Sequence, residues 1–296
     1  MTEWIAAIEG TPAASTAAMG LALAAAFLHA LFGALQKGGV PPYAARTAID
    51  SGLFVLSLPV ALFLVPPPRG IEWGLLAGAV VIHTIYKILQ AETYLRGAYT
   101  VVYPVVRGTG PLFTVIGAGL VFGERFAPLQ WMGVAVLLTG LFGLSAYNMR
   151  HVTAGRATLV PALVLAVATG AMVAVYTTWD AYGIRTTPDP FTFLAWFFLL
   201  TAIDFPAAAI ARRRFRPTLR LVRLGLIGAV VAWGSFGSIM LATRLDDVGE
   251  AAVLRETSTV FAALIGWLWL REPMGPTRLG LIALIAAGAL IVEFAG

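Results

Sequence analysis

The 296-residue chain contains no cysteine and three histidines, His29, His83 and His151. The first absence excludes disulfide frameworks, thiolate metal sites and cysteine nucleophiles. The second leaves no two histidines at H-x₃-H spacing, so no zinc or haem centre and no cofactor is expected. No G-x-x-x-x-G-K-[ST] run occurs, so direct use of ATP is excluded as well. Charge is the scarcest commodity of all. Aspartate, glutamate, lysine and arginine make up 12% of residues, against about 25% in a soluble domain. A surface so poor in charge cannot be solvated, and most of it must face lipid. The net charge of +5 does not point to nucleic acid, because the arginines cluster at the ends of apolar segments, the pattern of membrane topology. The N-terminus lacks a basic n-region and carries Glu3 and Glu9, so the first apolar segment is expected to stay in the mature protein as a membrane helix.

What the chain has in abundance is hydrophobic residues, 59% of the total. Apolar runs long enough to cross a bilayer, roughly 18 residues or more, lie near 15–36, 43–65, 72–94, 98–121, 129–147, 158–181, 191–211, 221–243, 249–270 and 277–295. We number them spans one to ten and expect an all-α integral membrane protein. Most connections are short and turn-like: Gly38-Gly39-Val40-Pro41-Pro42, Pro66-Pro67-Pro68 and Thr187-Pro188-Asp189-Pro190. Such loops suit antiparallel neighbours. The stretch Arg212 to Arg223, with six arginines, is the one strongly charged connection. Lipid gives helices no hydrophobic reason to associate, so small residues must let them pack closely. Gly133, Gly140 and Gly143 in span five, and Gly280, Ala287 and Gly288 in span ten, are read in that way.

The chain also repeats itself. Val106-Arg107-Gly108-Thr109-Gly110-Pro111-Leu112-Phe113 aligns with Leu254-Arg255-Glu256-Thr257-Ser258-Thr259-Val260-Phe261 at an offset of 148. The same offset carries Arg96 onto Arg244, Leu120 onto Leu268, Glu124 onto Glu272, Pro128 onto Pro276, Gly140 onto Gly288 and Pro42 onto Pro190. Arginine, glutamate and proline are scarce here, so these coincidences are not chance matches of alanine or leucine. Residues 1–148 and 149–296 then form two five-helix repeats. Because five is odd, the second copy enters the membrane from the opposite side, and the repeats are inverted about an axis in the membrane plane. Inverted repeats characterise secondary transporters, with the substrate near mid-membrane where the repeats meet.

Tyr103-Pro104-Val105-Val106-Arg107-Gly108-Thr109-Gly110-Pro111 in span four, Leu28-His29-Ala30-Leu31-Phe32-Gly33-Ala34-Leu35 in span one, and the Gly123-Glu124 and Arg271-Glu272-Pro273 turns resemble the drug/metabolite transporter superfamily in its ten-helix EamA-type form. The resemblance covers essentially the full length. It implies two five-helix EamA units, a central cavity lined by spans one, three, four, six, eight and nine, and export or exchange of small metabolites, amino acids among them. One departure is plain. The small four-helix multidrug members carry a membrane-embedded glutamate in their first helix, and span one here has no carboxylate, which argues against proton-driven export of cationic drugs.

An ionisable group at mid-membrane costs roughly 2.5–3.5 kcal/mol on insertion scales, so each one within a span calls for a partner or a use. Span three carries His83, Tyr86, Lys87, Gln90 and Tyr94 at spacings of three and four, hence on one helical face. That face lines a cavity or another helix. Arg107 and Arg255 are the repeat-related pair. A guanidinium cannot lose its proton, so each must meet a carboxylate, backbone carbonyls or an anionic ligand. Glu256 adjoins Arg255, but consecutive residues of a helix do not face each other, and Glu92 or Glu250 is the expected counter-charge. A structural lock between the repeats and a substrate site fit the two arginines equally well. Gly108, Gly110 and Pro111 are expected to loosen span four and free carbonyls there. His29 and Gln36 share a face of span one; Tyr176, Trp179, Asp180 and Gly183 share one in span six, where Thr177 occupies the repeat position of His29. Trp233, Phe236, Gly237 and Met240 mark the inner face of span eight. Aromatic residues with a few convergent polar groups describe a small-molecule pocket. The candidate substrate-binding set is therefore His29, His83, Tyr86, Lys87, Gln90, Tyr94, Tyr103, Arg107, Tyr176, Trp179, Asp180, Trp233, Arg255 and Glu256. Asp50 with Arg46 reads as an interfacial ion pair, Asp204 as an isolated carboxylate in span seven that is open to a proton-carrying role, and Trp4, Trp73 and Trp131 as interface anchors.

Leaving out the embedded Lys87, Arg107 and Arg255, thirteen basic residues follow odd-numbered spans and four (Arg69, Arg125, Arg185 and Arg244) lie opposite. The positive-inside rule then puts both termini outside, whereas the resemblance suggests both inside; seven to four remains without the six-arginine stretch. Together these readings favour a secondary transporter in a bacterial-type cytoplasmic membrane. It would carry a small metabolite with at least one negative group, driven by the proton gradient or by exchange, as a monomer or homodimer. The competing class, an intramembrane enzyme on lipid or peptide substrates, needs a nucleophile with its base, or a metal cluster, and the sequence presents neither.

Overall fold

The computed structural model describes residues 2–36, 40–97, 99–151, 156–213, 217–268 and 275–295. The Gly38-Gly39 and Arg271-Glu272-Pro273 turns lie outside them, as do Lys37, Arg214, Arg216 and the side chains of Gln36, His151 and Arg156. The described residues form helices and no strands: α1 Thr2–Ile8, α2 Pro12–Gln36, α3 Pro42–Pro59 continuing into a π turn at Val60–Leu64, α4 Ile71–Arg96, α5 Tyr99–Phe122, α6 Pro128–His151, α7 Arg156–Thr186, α8 Pro190–Thr201, α9 Asp204–Ala211, α10 Leu219–Leu245, α11 Val248–Arg255, α12 Ser258–Leu268 and α13 Pro276–Phe294. Ten stretches have the length and hydropathy to cross a membrane, and they coincide with the ten spans of the sequence.

Prolines open α2, α3, α6, α8 and α13. A missing N–H costs nothing at the first position of a helix, and the fixed φ already suits it. Gly123, with φ of +74°, ends α5 in the left-handed conformation that glycine adopts without strain. Two spans are broken rather than continuous. Span seven divides into α8 and α9 at Ala202-Ile203, and span nine into α11 and α12 at Glu256-Thr257. The second break is tightened by i→i−3 bonds, Glu256 N–H to Val253 O and Thr257 N–H to Leu254 O, both 3.0 Å. The Thr257 hydroxyl also donates to Leu254 O at 2.7 Å, so carbonyls freed by the break keep a partner, as the absence of water in the bilayer core demands. Span four, by contrast, runs unbroken through Gly108, Gly110 and Pro111, contrary to the loosening expected there.

The chain divides into two compact units, Met1–Thr84 with Trp179–Leu245 (unit 1) and Ile85–Thr178 with Asp246–Gly296 (unit 2). The division falls inside α4 and α7. Each unit draws on both sequence halves.

In unit 1, α8 is apolar on all sides and accordingly buried, from Pro190 through Phe193, Leu194, Phe197 and Phe198 to Thr201. Its start is capped by Asp189, whose carboxylate accepts from the amides of Phe191 (3.1 Å) and Thr192 (3.2 Å) and from the hydroxyls of Thr192 (2.7 Å) and Thr2 (2.9 Å). Partial burial pushes this carboxyl up, yet the four hydrogen bonds outweigh it and hold it below its ordinary value. α1, a short helix with no counterpart among the sequence expectations, is tied down by that Thr2 bond and by Arg244, which donates to Glu9 at 2.7 Å and to the carbonyls of Ile184 and Thr187.

In unit 2, α6 and α13 pack through small residues. A Cβ at Gly140 would strike Leu281 O and Ile285 N; one at Gly288 would strike Gly133 O and Leu137 N. Subtracting 148 from 288 gives 140, and adding it to 133 and 137 gives 281 and 285. The same two contacts therefore recur with the helices exchanged. Going up α6 from Gly133 to Gly143, the neighbours in α13 run down from Val292 to Leu281, so the two helices are antiparallel. A two-fold axis that exchanges antiparallel helices lies across them, not along them. Gly280, assigned to the same interface on sequence grounds, has nothing within 4 Å and takes no part.

Candidate functional site

Unit 2 holds the arginine pair. Arg107, buried on α5, meets the break between α11 and α12: its Nε lies 2.9 Å from Glu256 Oε2, and its Nη2 donates to Arg255 O at 3.0 Å and to Ser258 Oγ at 2.5 Å. Tyr103, one turn before Arg107, is hydrogen-bonded to Ser258, and the hydroxyls of Tyr103, Tyr176 and Tyr86 fall within electrostatic reach of the guanidinium. The counter-charge of Arg107 is thus Glu256. It is neither of the expected residues: Glu92 pairs with Arg96 at 2.6 Å one turn along its own helix, and Glu250 accepts from Gln130. Periodicity correctly denied Glu256 to Arg255 but is silent on a partner from another helix, and it assumed a continuous span nine.

Tyr86 and Tyr176 meet edge to face with ring centroids 4.7 Å apart, and Gln90 donates to the Tyr86 hydroxyl at 2.6 Å. Lys87, beside them in sequence, is among the largest fully buried side chains. Tyr94 packs on the apolar cluster of Val102, Val105, Val106, Ala162 and Ala166. Among the described residues of unit 2, the buried basic side chains are Lys87, Arg107 and Arg255, and the buried carboxylate is Glu256.

Below the break, the Glu124 carboxylate accepts from the amides of Val248 (2.8 Å) and Gly249 (2.9 Å). It caps α11 where the helix dipole favours negative charge.

Unit 1 holds the rest of the candidate set. His83 Nε2 lies 2.8 Å from Asp180 Oδ2, both residues are buried, and the His83 ring stands edge-on to Phe197 with centroids 4.9 Å apart. Trp179 lays its indole into the notch at Gly78 and donates to Leu75 O at 2.9 Å, so its polar atom is committed to helix packing. Trp233 is tilted against Phe198 at 5.2 Å in an aromatic cluster. His29 neighbours Phe32 at 6.3 Å. Arg46 and Asp50 pair at 3.0 Å as expected, with the aspartate fully buried rather than interfacial. Asp204, at the break in span seven, accepts from the Thr84 hydroxyl at 2.6 Å and from its neighbour's amide. Thr84, Gln130 and Ser258 carry no charge that would mark them as partners in advance; the repeat and the Gly123-Glu124 turn flag Glu124, but not as the cap of α11.

Comparison with known proteins places these features. Residues 160–294 match the EamA-like transporter family. The chain is 32% identical over 84 residues to an uncharacterized protein, y4nH, of Sinorhizobium fredii (strain NBRC 101917 / NGR234), a match covering 27% of this chain and 72% of that one. A solved structure, titled only as the crystal structure of a protein, superposes with a TM-score of 0.75 over 94% of this chain and 99% of its own at 19% identity, a likeness of fold. With ten membrane-length apolar helices and that family match, the chain is an integral membrane protein and belongs to the EamA-like transporter family.

Proposed function

We propose that the protein is a secondary transporter of a small metabolite bearing at least one negative group, an amino acid or organic carboxylate, moved by alternating access of two inverted five-helix repeats, residues 1–148 and 149–296. The observation that carries the substrate class is the buried charge of unit 2. That unit buries three basic side chains, Lys87, Arg107 and Arg255, and Arg107 meets the carboxylate of Glu256. Buried charge is retained in a membrane protein where it is paired or used. So basic a buried set suits a solute with a negative group, with Tyr86, Gln90, Tyr103 and Tyr176 as the hydroxyl and amide groups around it. The exchanged packing of Gly140 and Gly288 supports the inverted repeat.

Export or exchange follows from the family resemblance. The basic-residue count favours a bacterial-type cytoplasmic membrane with both termini outside. The absence of native cysteine makes single-cysteine accessibility mapping a direct check of that orientation. For transport, the protein is reconstituted in liposomes and screened with labelled amino acids, carboxylates, neutral sugars and organic cations by counterflow. The expected result is flux of an anionic or zwitterionic solute that falls at least tenfold in Lys87→Ala and Arg255→Ala. Flux of cations alone, or wild-type kinetics in both variants, would overturn the reading.

A further inference from the structure

Three carboxylates are buried among the described residues, and they do not face the same kind of base. Asp50 faces Arg46 at 3.0 Å and Glu256 faces Arg107 at 2.9 Å. An arginine keeps its proton at every accessible pH, so in those two pairs the base neither takes up nor releases a proton, and its permanent charge favours the ionised carboxylate. Asp180 faces His83 at 2.8 Å, and histidine is the side chain that gains and loses a proton near neutrality. The geometry points to His83 and Asp180 as the site that binds the coupling proton of transport, which rests on the transporter reading above.

The surroundings suit a site for a single proton. Phe197 covers one edge of the imidazole, and the cluster of Phe193, Phe198, Ile184 and Met240 continues the apolar wall. The ionisable groups on the elements around the pair include Tyr86 on α4 and Tyr182 on α7, both close to it along the chain. Lys87 lies one turn on along α4 and Tyr176 one turn back along α7, while Arg185 and Arg244 sit at the ends of α7 and α10. His29 lies on α2, the Asp50–Arg46 pair on α3, and Asp204 opens α9, held by Thr84 next to His83. α8 brings aromatic and aliphatic side chains to the pair. Without the proton the pair is a neutral imidazole beside a carboxylate, net −1. With it, imidazolium and carboxylate sum to zero. One proton is taken up and one charge cancelled; no bond other than N–H or O–H forms or breaks. The pair lies on α4 and α7, within four residues of Lys87 and Tyr176 along the chain.

The test uses proteoliposomes of the full chain and whichever labelled solute shows counterflow. With an imposed gradient of one pH unit, a one-to-one proton couple concentrates solute up to about tenfold. Wild type is expected to accumulate solute and to shift internal pyranine fluorescence. His83→Gln and Asp180→Asn, shown to be folded by a monodisperse size-exclusion profile, are expected to lose proton-driven uptake by a larger factor than counterflow, with an accumulation ratio of one and no pyranine signal. Accumulation at the wild-type ratio in both variants would overturn the assignment. A second arm needs no solute. ¹⁵N-histidine NMR of the detergent-solubilised protein has three imidazoles to follow, with His83 identified by its loss in His83→Gln. Its response to pH is expected to change in Asp180→Asn; a His83 resonance that pH does not move, or that Asp180→Asn leaves unchanged, sinks the proton site. Absence of counterflow for every solute would count against the transporter reading instead.

Discussion

Glu256→Met tests whether Arg107 is held by the carboxylate at the break in span nine. Removing one partner of a buried ion pair costs about 3–5 kcal/mol, because the other charge stays buried without its counter-charge. Arg107 would retain two neutral acceptors, Arg255 O and Ser258 Oγ. Each such bond is worth about 1 kcal/mol net, which sets the loss near the lower bound, about 3 kcal/mol. Arg107→Met strands the Glu256 carboxylate in the break and should cost at least as much. The double variant leaves neither charge, and methionine approximates both volumes. Replacement of a whole buried pair by apolar groups is often close to neutral, so Arg107→Met/Glu256→Met should be at least 2 kcal/mol more stable than the sum of the single losses. Equilibrium unfolding in mixed micelles, followed by tryptophan fluorescence, measures all four corners of the cycle. Single losses below about 1 kcal/mol, or a double variant as unstable as the sum, would refute the pairing as a stabilising contact. The double variant also separates two roles. If it folds and still transports, Arg107 positions the break, and the solute relies on Lys87 and Arg255.

The glycine contacts predict a graded result: Gly140→Ala and Gly288→Ala meet backbone atoms of the facing helix and should each cost roughly 1–3 kcal/mol, whereas Gly280→Ala, with open space around it, should change thermal stability in micelles by no more than about 0.5 kcal/mol. Glu124→Ala removes two charge-assisted bonds to the start of α11 and should cost roughly 1.5–3 kcal/mol in the same assay, Glu124→Gln less. The cap at Asp189 predicts a pH dependence. Its carboxyl is held low in the folded chain, so its contribution is complete above the unfolded value of about 3.9 and is lost as pH falls through the lower folded value. Hydrogen exchange of the Phe191 and Thr192 amides should accelerate in that acid window relative to neighbouring helix starts, and Asp189→Ala should remove the pH step along with roughly 1 kcal/mol of local protection.

The spans were legible because an apolar run of about twenty residues has one structural outcome in lipid, and because proline at 12, 42, 128, 190 and 276 marks where helices begin. The short α1 has no such signal: seven residues with Trp4 and Ile5 among them become a helix only because Asp189 and Arg244 hold its two ends. The breaks at Ala202-Ile203 and Glu256-Thr257 contain neither proline nor glycine. Their polar residues meet Thr84 and Arg107, far away in sequence. Span four misled in the opposite sense. Its glycines looked like points of weakness, but Gly108 and Gly110 leave room for Phe142 and Val173, and close packing keeps the helix whole. Periodicity put His83, Tyr86, Lys87 and Gln90 on one face, and the structure turns that face inward. It did not say that His83 would meet Asp180, because a shared face fixes direction and a partner is fixed only by tertiary packing.

The repeat is most instructive where it fails. Around the arginines, Thr109 and Thr257 are retained, and both hydroxyls bond carbonyls of the preceding turn, Val105 O and Leu254 O. Yet Glu256 and Ser258, which hold Arg107, are replaced at the repeat positions by Gly108 and Gly110. Under the proposed alternating access by inverted repeats, mates exchange conformations, so the break now in span nine would pass to span four in the alternate state. Glycine serves such a role, because it lowers the cost of leaving the helix by about 1 kcal/mol relative to alanine. Gly108→Ala and Gly110→Ala should then bias the protein toward the present state, each by roughly fivefold, the equivalent of about 1 kcal/mol. Single cysteines placed along span four would report the shift as slower labelling from one side and faster labelling from the other. Unchanged labelling on both sides, with both variants folded, would mean that span four never breaks and that the glycines serve packing alone.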